Sequence, residues 1–144
     1  MVELKVKLTD GAPMPRHAHQ GDAGLDLTSR HPTFWLAAGE TQMVGTGVAV
    51  EIPDGHVGLL FPRSGLASKG HVDLANCVGV VDSGYRGEIM APLRNFGENG
   101  RFIERGERIC QLVVVPFATC KCVEAELSDT ERGDGGFGST GAHA

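Results

Sequence analysis

Apolar and polar residues alternate with a period of two along much of the chain, the pattern of half-buried β-strands rather than of helices. At the start, Val2, Leu4, Val6 and Leu8 fall on one side and Glu3, Lys5 and Lys7 on the other. Short β-prone runs recur at Met43–Val50, His56–Phe61, Glu88–Asn95, Ile109–Pro116 and Cys120–Glu126. Turn-forming clusters separate them: Pro53-Asp54-Gly55, Gly97-Glu98-Asn99-Gly100 and Arg105-Gly106. In the first of these, proline presets φ and glycine takes the left-handed position. Many short strands between such turns predict an all-β sandwich or barrel. One short helix is expected over Ser64–Lys69, directly after Pro62-Arg63, and no internal repeat is seen.

Composition sharpens this picture in three places. Glycine accounts for 21 of 144 residues, about twice its ordinary share of roughly 7%, which suits a backbone that turns often and approaches its surroundings closely. A net charge of −5 disfavours a sequence-independent nucleic-acid coat, so any anionic ligand must be held by local donors or a cation. No apolar run reaches the length of a membrane span, and the N-terminus lacks the uninterrupted apolar core of a signal peptide. A cytoplasmic location with reduced thiols is therefore expected. Cys120 and Cys122 are spaced too closely for the usual zinc pair and read as small buried hydrophobes. His17 and His19 have no acidic or thiol partner nearby and read as solvated loop residues. A single domain over residues 1–127 is expected, followed by a flexible, glycine-rich arm over 128–144 that is too poor in apolar residues to fix itself.

Five stretches carry candidate chemistry. Asp22-Ala23-Gly24-Leu25-Asp26-Leu27 sets two carboxylates in a Gly-containing turn, which taken alone is also an ordinary acidic surface turn. The run from Pro62 to Lys69 puts Arg63 and Ser64 at the start of the expected helix, where unpaired N–H groups favour an anion. N-capping by Ser64 explains the serine equally well. Asn76–Glu88 reads as two apolar-rich arms around Ser83-Gly84, a β-hairpin with Asp82 at its shoulder. Behind Val80-Val81 that carboxylate is expected to be partly desolvated, an environment suited to a general base, unless it merely caps the turn. Gln111 stands at an inward-capable position of the strand that Arg108 begins, where a structural hydrogen bond would account for it as well. The last stretch, Arg132 to Gly141, has glycines without the strand–helix context of dinucleotide or P-loop motifs. A Gly-rich nest with arginine and hydroxyls can instead wrap phosphate oxygens, and Phe137 can stack on a base.

Taken together and in this order, the five stretches resemble one family, the homotrimeric dUTP diphosphatases (dUTPases), from about Lys5 to Ala142. The run Asp82-Ser83-Gly84-Tyr85-Arg86-Gly87 and the terminal Arg132-to-Gly141 segment carry most of the likeness. The family's Asn-Ala-Pro-Gly-Thr-Ile-Asp entry stands here as Asn76-Cys77-Val78-Gly79-Val80-Val81-Asp82, with the same spacing and no proline. The resemblance implies a distorted jelly-roll β-barrel and hydrolysis of dUTP to dUMP and pyrophosphate. That activity would limit uracil in DNA and supply dUMP for thymidylate synthesis. It further implies a homotrimer whose three active sites lie between subunits. Asp82 is similar to the family's general base, which activates the water attacking the α-phosphorus, and Gln111 to the residue that positions that water and the phosphate. Arg63, Ser64 and Gly65 resemble the phosphate donors, and Asp26 the residue that anchors waters on a Mg²⁺ chelated by the triphosphate. Asn76 would read the uracil edge and Tyr85 would pack on the deoxyribose. Arg132, Phe137, Gly138, Ser139 and Thr140 would close over the nucleotide from the tail. Two rivals are a dCTP deaminase of the same superfamily, possibly bifunctional, and a nucleotide-binding relative without activity. Tyr85 argues against the first, and the full set of candidate catalytic residues against the second.

Overall fold

The computed structural model describes residues 2–9 and 11–136. Ten strands and one helix follow in chain order: β1 (Lys5–Leu8), β2 (Leu25–Thr28), β3 (Phe34–Leu36), β4 (Thr41–Glu51), β5 (His56–Pro62), α1 (Ser64–Gly70), β6 (Val72–Leu74), β7 (Gly79–Val81), β8 (Glu88–Asn95), β9 (Arg101–Ile103) and β10 (Arg108–Pro116). They form two antiparallel four-stranded sheets, ordered β1-β4-β8-β6 and β2-β10-β5-β7, with a two-stranded β3-β9 sheet beside them. Leu93, Val44 and Ile89 from the first sheet, Leu60 and Leu112 from the second, and Leu36 and Ile103 from the third share one apolar core. Burying each such side chain contributes roughly 1.5–3 kcal/mol. The fold is an all-β, jelly-roll type barrel, as expected.

Across β1 the structure agrees with the alternation, although Val2, ahead of it, is exposed. Leu4, Val6 and Leu8 are half-buried while Lys5 and Lys7 are exposed. Asn95 is buried at the end of β8 yet fully bonded: its Nδ2 donates to the carbonyls of Leu36 (3.1 Å) and Asn99 (2.9 Å), and Gly97 N donates to its Oδ1 (3.0 Å). That satisfied amide ties the third sheet to the first without the penalty of an unpaired buried polar group.

Two expectations are corrected. Asn76–Glu88 is not a hairpin: β7 pairs with β5 in one sheet, whereas β8 pairs with β4 and β6 in the other. Residues between Asp82 and Gly87 carry the chain from sheet to sheet, and periodicity reports a strand's faces, not its partner. Cys120–Glu126 is not a strand either. It is exposed throughout and pairs with no other segment among the described residues. β-propensity yields a strand only where an edge and a packing surface receive it. Accordingly Cys120 and Cys122 are exposed, as is Cys77, and of the four cysteines only Cys110 is buried.

Candidate active site

Arg63, Asp26, Ser64 and Gln111 meet at one cavity of about 370 Å³, together with Gly24 and Phe61. Cross-strand register builds it: Gln111 on β10 lies directly opposite Asp26 on β2 and Phe61 on β5. Directly opposed residues project from the same face of a sheet. Asp26 is thus a strand residue, not the turn residue its sequence neighbourhood suggests; the turn is upstream, where His19 N donates to Asp22 Oδ2 at 2.8 Å. The Asp26 carboxylate sits between two guanidiniums, with Oδ1 2.9 Å from Arg63 Nε and Oδ2 3.0 Å from Arg108 Nη1. Its side chain is only 11% exposed, so this pairing is screened less than a surface bridge. Gln111 Nε2 donates to the Pro62 carbonyl at 3.1 Å, and its side chain lies across Gly24. A Cβ at Gly24 would stand 3.1 Å from Gln111 Cδ and overlap Oε1. Glycine is what that crossing requires.

α1 begins as expected, but its N-cap is Arg63, with no side-chain capping bond, so Ser64 is not the cap. Ser64 is exposed at the cavity, and the space about Gly65 is open, with nothing within 4 Å of a Cβ built there. Cys110, the next residue along β10 from Gln111, is buried. Burial first, and the Asp26 charge second, push its thiol up to about 12 from 9.0. It is a protonated core residue and not a nucleophile.

Asn76, Asp82 and Tyr85 meet at a second cavity, of about 190 Å³, beside Gly79, Leu60 and Glu88. Asp82 follows the last residue of β7 and is exposed, so the expected desolvation by Val80-Val81 is corrected: Val80 points outward, 63% exposed, and Val81 inward. The Asp82 carbonyl accepts from Tyr85 N at 3.1 Å, closing the turn. Tyr85 Oη donates to the Glu88 carbonyl at 2.9 Å, and Arg86 braces the same turn through the Ser83 and Tyr85 carbonyls. The two cavities have no residue in common. Leu60 lines one and its neighbour Phe61 the other, and adjacent strand residues point to opposite faces.

Arg132 reaches neither cavity; its Nε donates to the Gly135 carbonyl at 2.9 Å within an exposed turn of the tail. Phe137, Gly138, Ser139 and Thr140 lie outside the described residues. The sequence pattern shows Arg108 and Glu88 only as strand ends; the pairing of Arg108 with Asp26 comes from register and the place of Glu88 in the smaller cavity from a loop crossing, neither of which a local pattern reports. Among the described residues no three His, Cys, Asp or Glu side chains gather to hold a metal ion. A protein cage for a cation is therefore not what this donor set forms. It fits a magnesium ion that keeps its waters and takes substrate phosphate oxygens, which needs only one or two carboxylates. Asp26, with one donor on each oxygen, retains acceptor capacity for such waters.

Comparison with known proteins identifies the family. The dUTPase family model matches residues 10–141. The deoxyuridine 5'-triphosphate nucleotidohydrolase of Cutibacterium acnes is 52% identical over 134 residues, covering 91% of this chain and 87% of the relative. That of Thermobifida fusca is 47% identical over 145 residues, covering 99% and 80%. Among solved structures, the Staphylococcus bacteriophage 80alpha dUTPase with dUpNHpp superposes with a TM-score of 0.87 at 37% identity, over 99% of this chain and 100% of that one. A mutant dUTPase from phage phi11 of S. aureus, whose structure details the coordination of a structural Mg(II) ion, gives 0.80 at 30% identity, over 90% and 100%. The family model and these relatives each cover most of the chain, and the chain belongs to the dUTPase family.

Proposed function

We propose that this protein hydrolyses dUTP to dUMP and pyrophosphate in sites assembled between the subunits of a homotrimer, in the cytoplasm. The observation that carries the shared site is the division of the candidate residues between two unconnected cavities. The smaller, at about 190 Å³, falls below the roughly 300–1,000 Å³ of a ligand pocket. It suits a base and sugar, while the larger, with Arg63, Ser64 and Gln111, suits a triphosphate. A closed threefold ring can bring the smaller cavity of one subunit against the larger cavity of the next.

In the joined site, Asn76 and neighbouring backbone read the uracil edge, and Tyr85 packs on the deoxyribose, leaving no room for a 2′-hydroxyl. Arg63, Ser64 and the Gly65 N–H bind phosphate oxygens. Phosphoryl chemistry depends chiefly on such positioning and charge neutralisation. Gln111 orients a water, and the Asp82 carboxylate takes its proton as the water oxygen bonds to the α-phosphorus. The bond from that phosphorus to the oxygen bridging to the β-phosphate breaks, and pyrophosphate leaves. Magnesium, when bound on the triphosphate, supplies further neutralisation of that charge, and Asp26 would hold its waters. From the tail, Arg132, Phe137, Gly138, Ser139 and Thr140 close over the nucleotide as a lid, with Phe137 on the uracil.

The test is to supply dUTP, dCTP, dTTP and UTP separately with Mg²⁺ and to measure pyrophosphate and ammonia. Pyrophosphate from dUTP alone is expected. Ammonia from dCTP would identify a deaminase instead, and equal turnover of UTP would overturn the Tyr85 role.

A further inference from the structure

The wall of the smaller cavity meets the neighbouring strand at a bulge, which two side chains bridge: the Thr46 hydroxyl donates to the Ile89 carbonyl at 2.8 Å, and the Glu88 carboxylate accepts from β4. Between Gly45 and Ala49 the β4–β8 ladder breaks, so that Thr46, Gly47 and Val48 face Ile89 alone. At this bulge Gly47 adopts a φ of +71°, which turns its N–H out of the ladder. That buried N–H donates to Glu88 Oε1 at 2.6 Å. The carboxylate can reach it because Gly45 has no side chain: a Cβ there would stand 2.6 Å from Glu88 Oε1. The carbonyl of this same Glu88, the first residue of β8, accepts the Tyr85 hydroxyl at 2.9 Å. The tyrosine ring lies against Gly87, where a Cβ would come within 2.6 Å of Cζ.

We propose that Glu88 is a positioning residue for sugar selection, its side chain pinning the β8 terminus to the β4 bulge so that its carbonyl holds the Tyr85 ring where a ribose 2′-hydroxyl would have to fit. The inference rests on the reading that Tyr85 excludes ribose. Tyr85 sits on a turn that lies between two sheets and is 45% exposed, so local anchors must fix its ring. Two anchors do so, the Glu88 carbonyl and the Gly87 surface, and both move with the start of β8. The Gly47 N–H has no ladder partner at the bulge, and leaving it unpaired in the interior would favour a shift of either strand. Glutamine presents the same carbonyl-type acceptor at the same reach, whereas alanine presents none.

Four variants separate this from a purely structural role: Glu88→Ala, Glu88→Gln, Gly45→Ala and, as the reference, Tyr85→Ala. Gly45→Ala displaces the Glu88 carboxylate, the far end of a flexible chain, while leaving every residue of the cavity chemically intact. The readouts are kcat/KM for dUTP and UTP with Mg²⁺, thermal melting, and the ring NMR signal of ¹³C-labelled tyrosine. Because the chain has a single tyrosine, that signal reports Tyr85 alone. Glu88→Ala and Gly45→Ala are expected to raise the UTP-to-dUTP ratio on the order of tenfold and to shift or broaden the ring signal. Glu88→Gln should keep the wild-type ratio and signal. If Tyr85→Ala leaves the ratio unchanged, the sugar-selection reading fails; a ring signal still displaced in Glu88→Ala then shows the anchor itself to be sound. If Tyr85→Ala relaxes selection while Glu88→Ala and Gly45→Ala lower only the melting temperature, Glu88 does no positioning and the proposal is wrong.

Discussion

The proposal that one nucleotide is served by cavities of two neighbouring subunits makes subunit mixing a quantitative test. Take one chain carrying Asp82→Asn, which spoils the smaller cavity, and another carrying Gln111→Ala, which spoils the larger. Asp82 is exposed and its replacement nearly isosteric, and Gln111→Ala removes a single hydrogen bond to Pro62, so both chains should fold and assemble. Each alone should be nearly inactive. In a randomly assembled equal mixture, a site is intact when its Asp82 cavity comes from the Gln111→Ala chain and its Gln111 cavity from the Asp82→Asn chain. Each condition is met half the time, so about one quarter of the wild-type activity should return. If one chain supplied both cavities of a site, every site would carry a defect and the mixture would equal the mean of its parents. Differently tagged chains are co-refolded, the mixed trimers counted by native mass spectrometry, and pyrophosphate release from dUTP followed. Mixed trimers present at the random proportion, with no activity beyond the parental mean, would refute the shared site.

Other expectations follow from the same geometry. Gly24→Ala should displace Gln111 and lower kcat by more than tenfold with little change in KM or melting temperature; unaltered kcat would remove Gln111 from water positioning. Asp82→Asn by itself should lower kcat by about 10²–10⁴ while KM is largely retained, and near-normal turnover would show that the base is elsewhere. Cys110, held protonated up to about 12 against 9.0, contributes stability that is present below pH 9 and is lost as the unfolded thiol ionises, roughly 1 kcal/mol of it by pH 10. Urea unfolding at pH 8 and pH 10, at fixed protomer concentration, should show a larger loss for the wild type than for Cys110→Ala by about that amount; equal losses would contradict the buried-thiol account.

The longer strands were legible in the sequence because each is a β-prone run bounded by turn residues. β4, β5, β8 and β10 fall within a few residues of their expected bounds. Three-residue strands such as β3, β6 and β9 were not, since so short a run shows no period. Pairing was the larger omission. Asn76–Glu88 looked like a hairpin because its arms are adjacent, yet β7 completes one sheet and β8 runs through the other. The candidate residues of the five stretches were legible as residue types at particular spacings. What brought Asp26, Gln111 and Phe61 into one row was register, and what joined Glu88 to Gly47 was a bulge, both products of tertiary pairing. Arg108 shows the same limit: it is an unremarkable basic strand start until β2 is placed beside β10.

The charge arithmetic leads to the same division of labour. A chain with a net charge of −5 that handles a triphosphate must concentrate cations locally, and it does so on the face that carries Asp26. There Arg63 and Arg108 both pair with one carboxylate, which keeps two guanidiniums together on one side of the barrel and fixes Arg63 beside Ser64 and Gln111. The smaller cavity has no such cluster; among its residues Asp82 and Glu88 are acidic and none is basic. Placed in one pocket of one chain, the Asp82 carboxylate would sit as close to the arginines as Asp26 does and would compete with phosphate for them. On the proposed reading it is held on a separate face and meets the phosphates in the assembled site. If the proposed shared site is right, dissociating the subunits should abolish turnover even with every residue intact, and a dissociated chain with full activity would refute it.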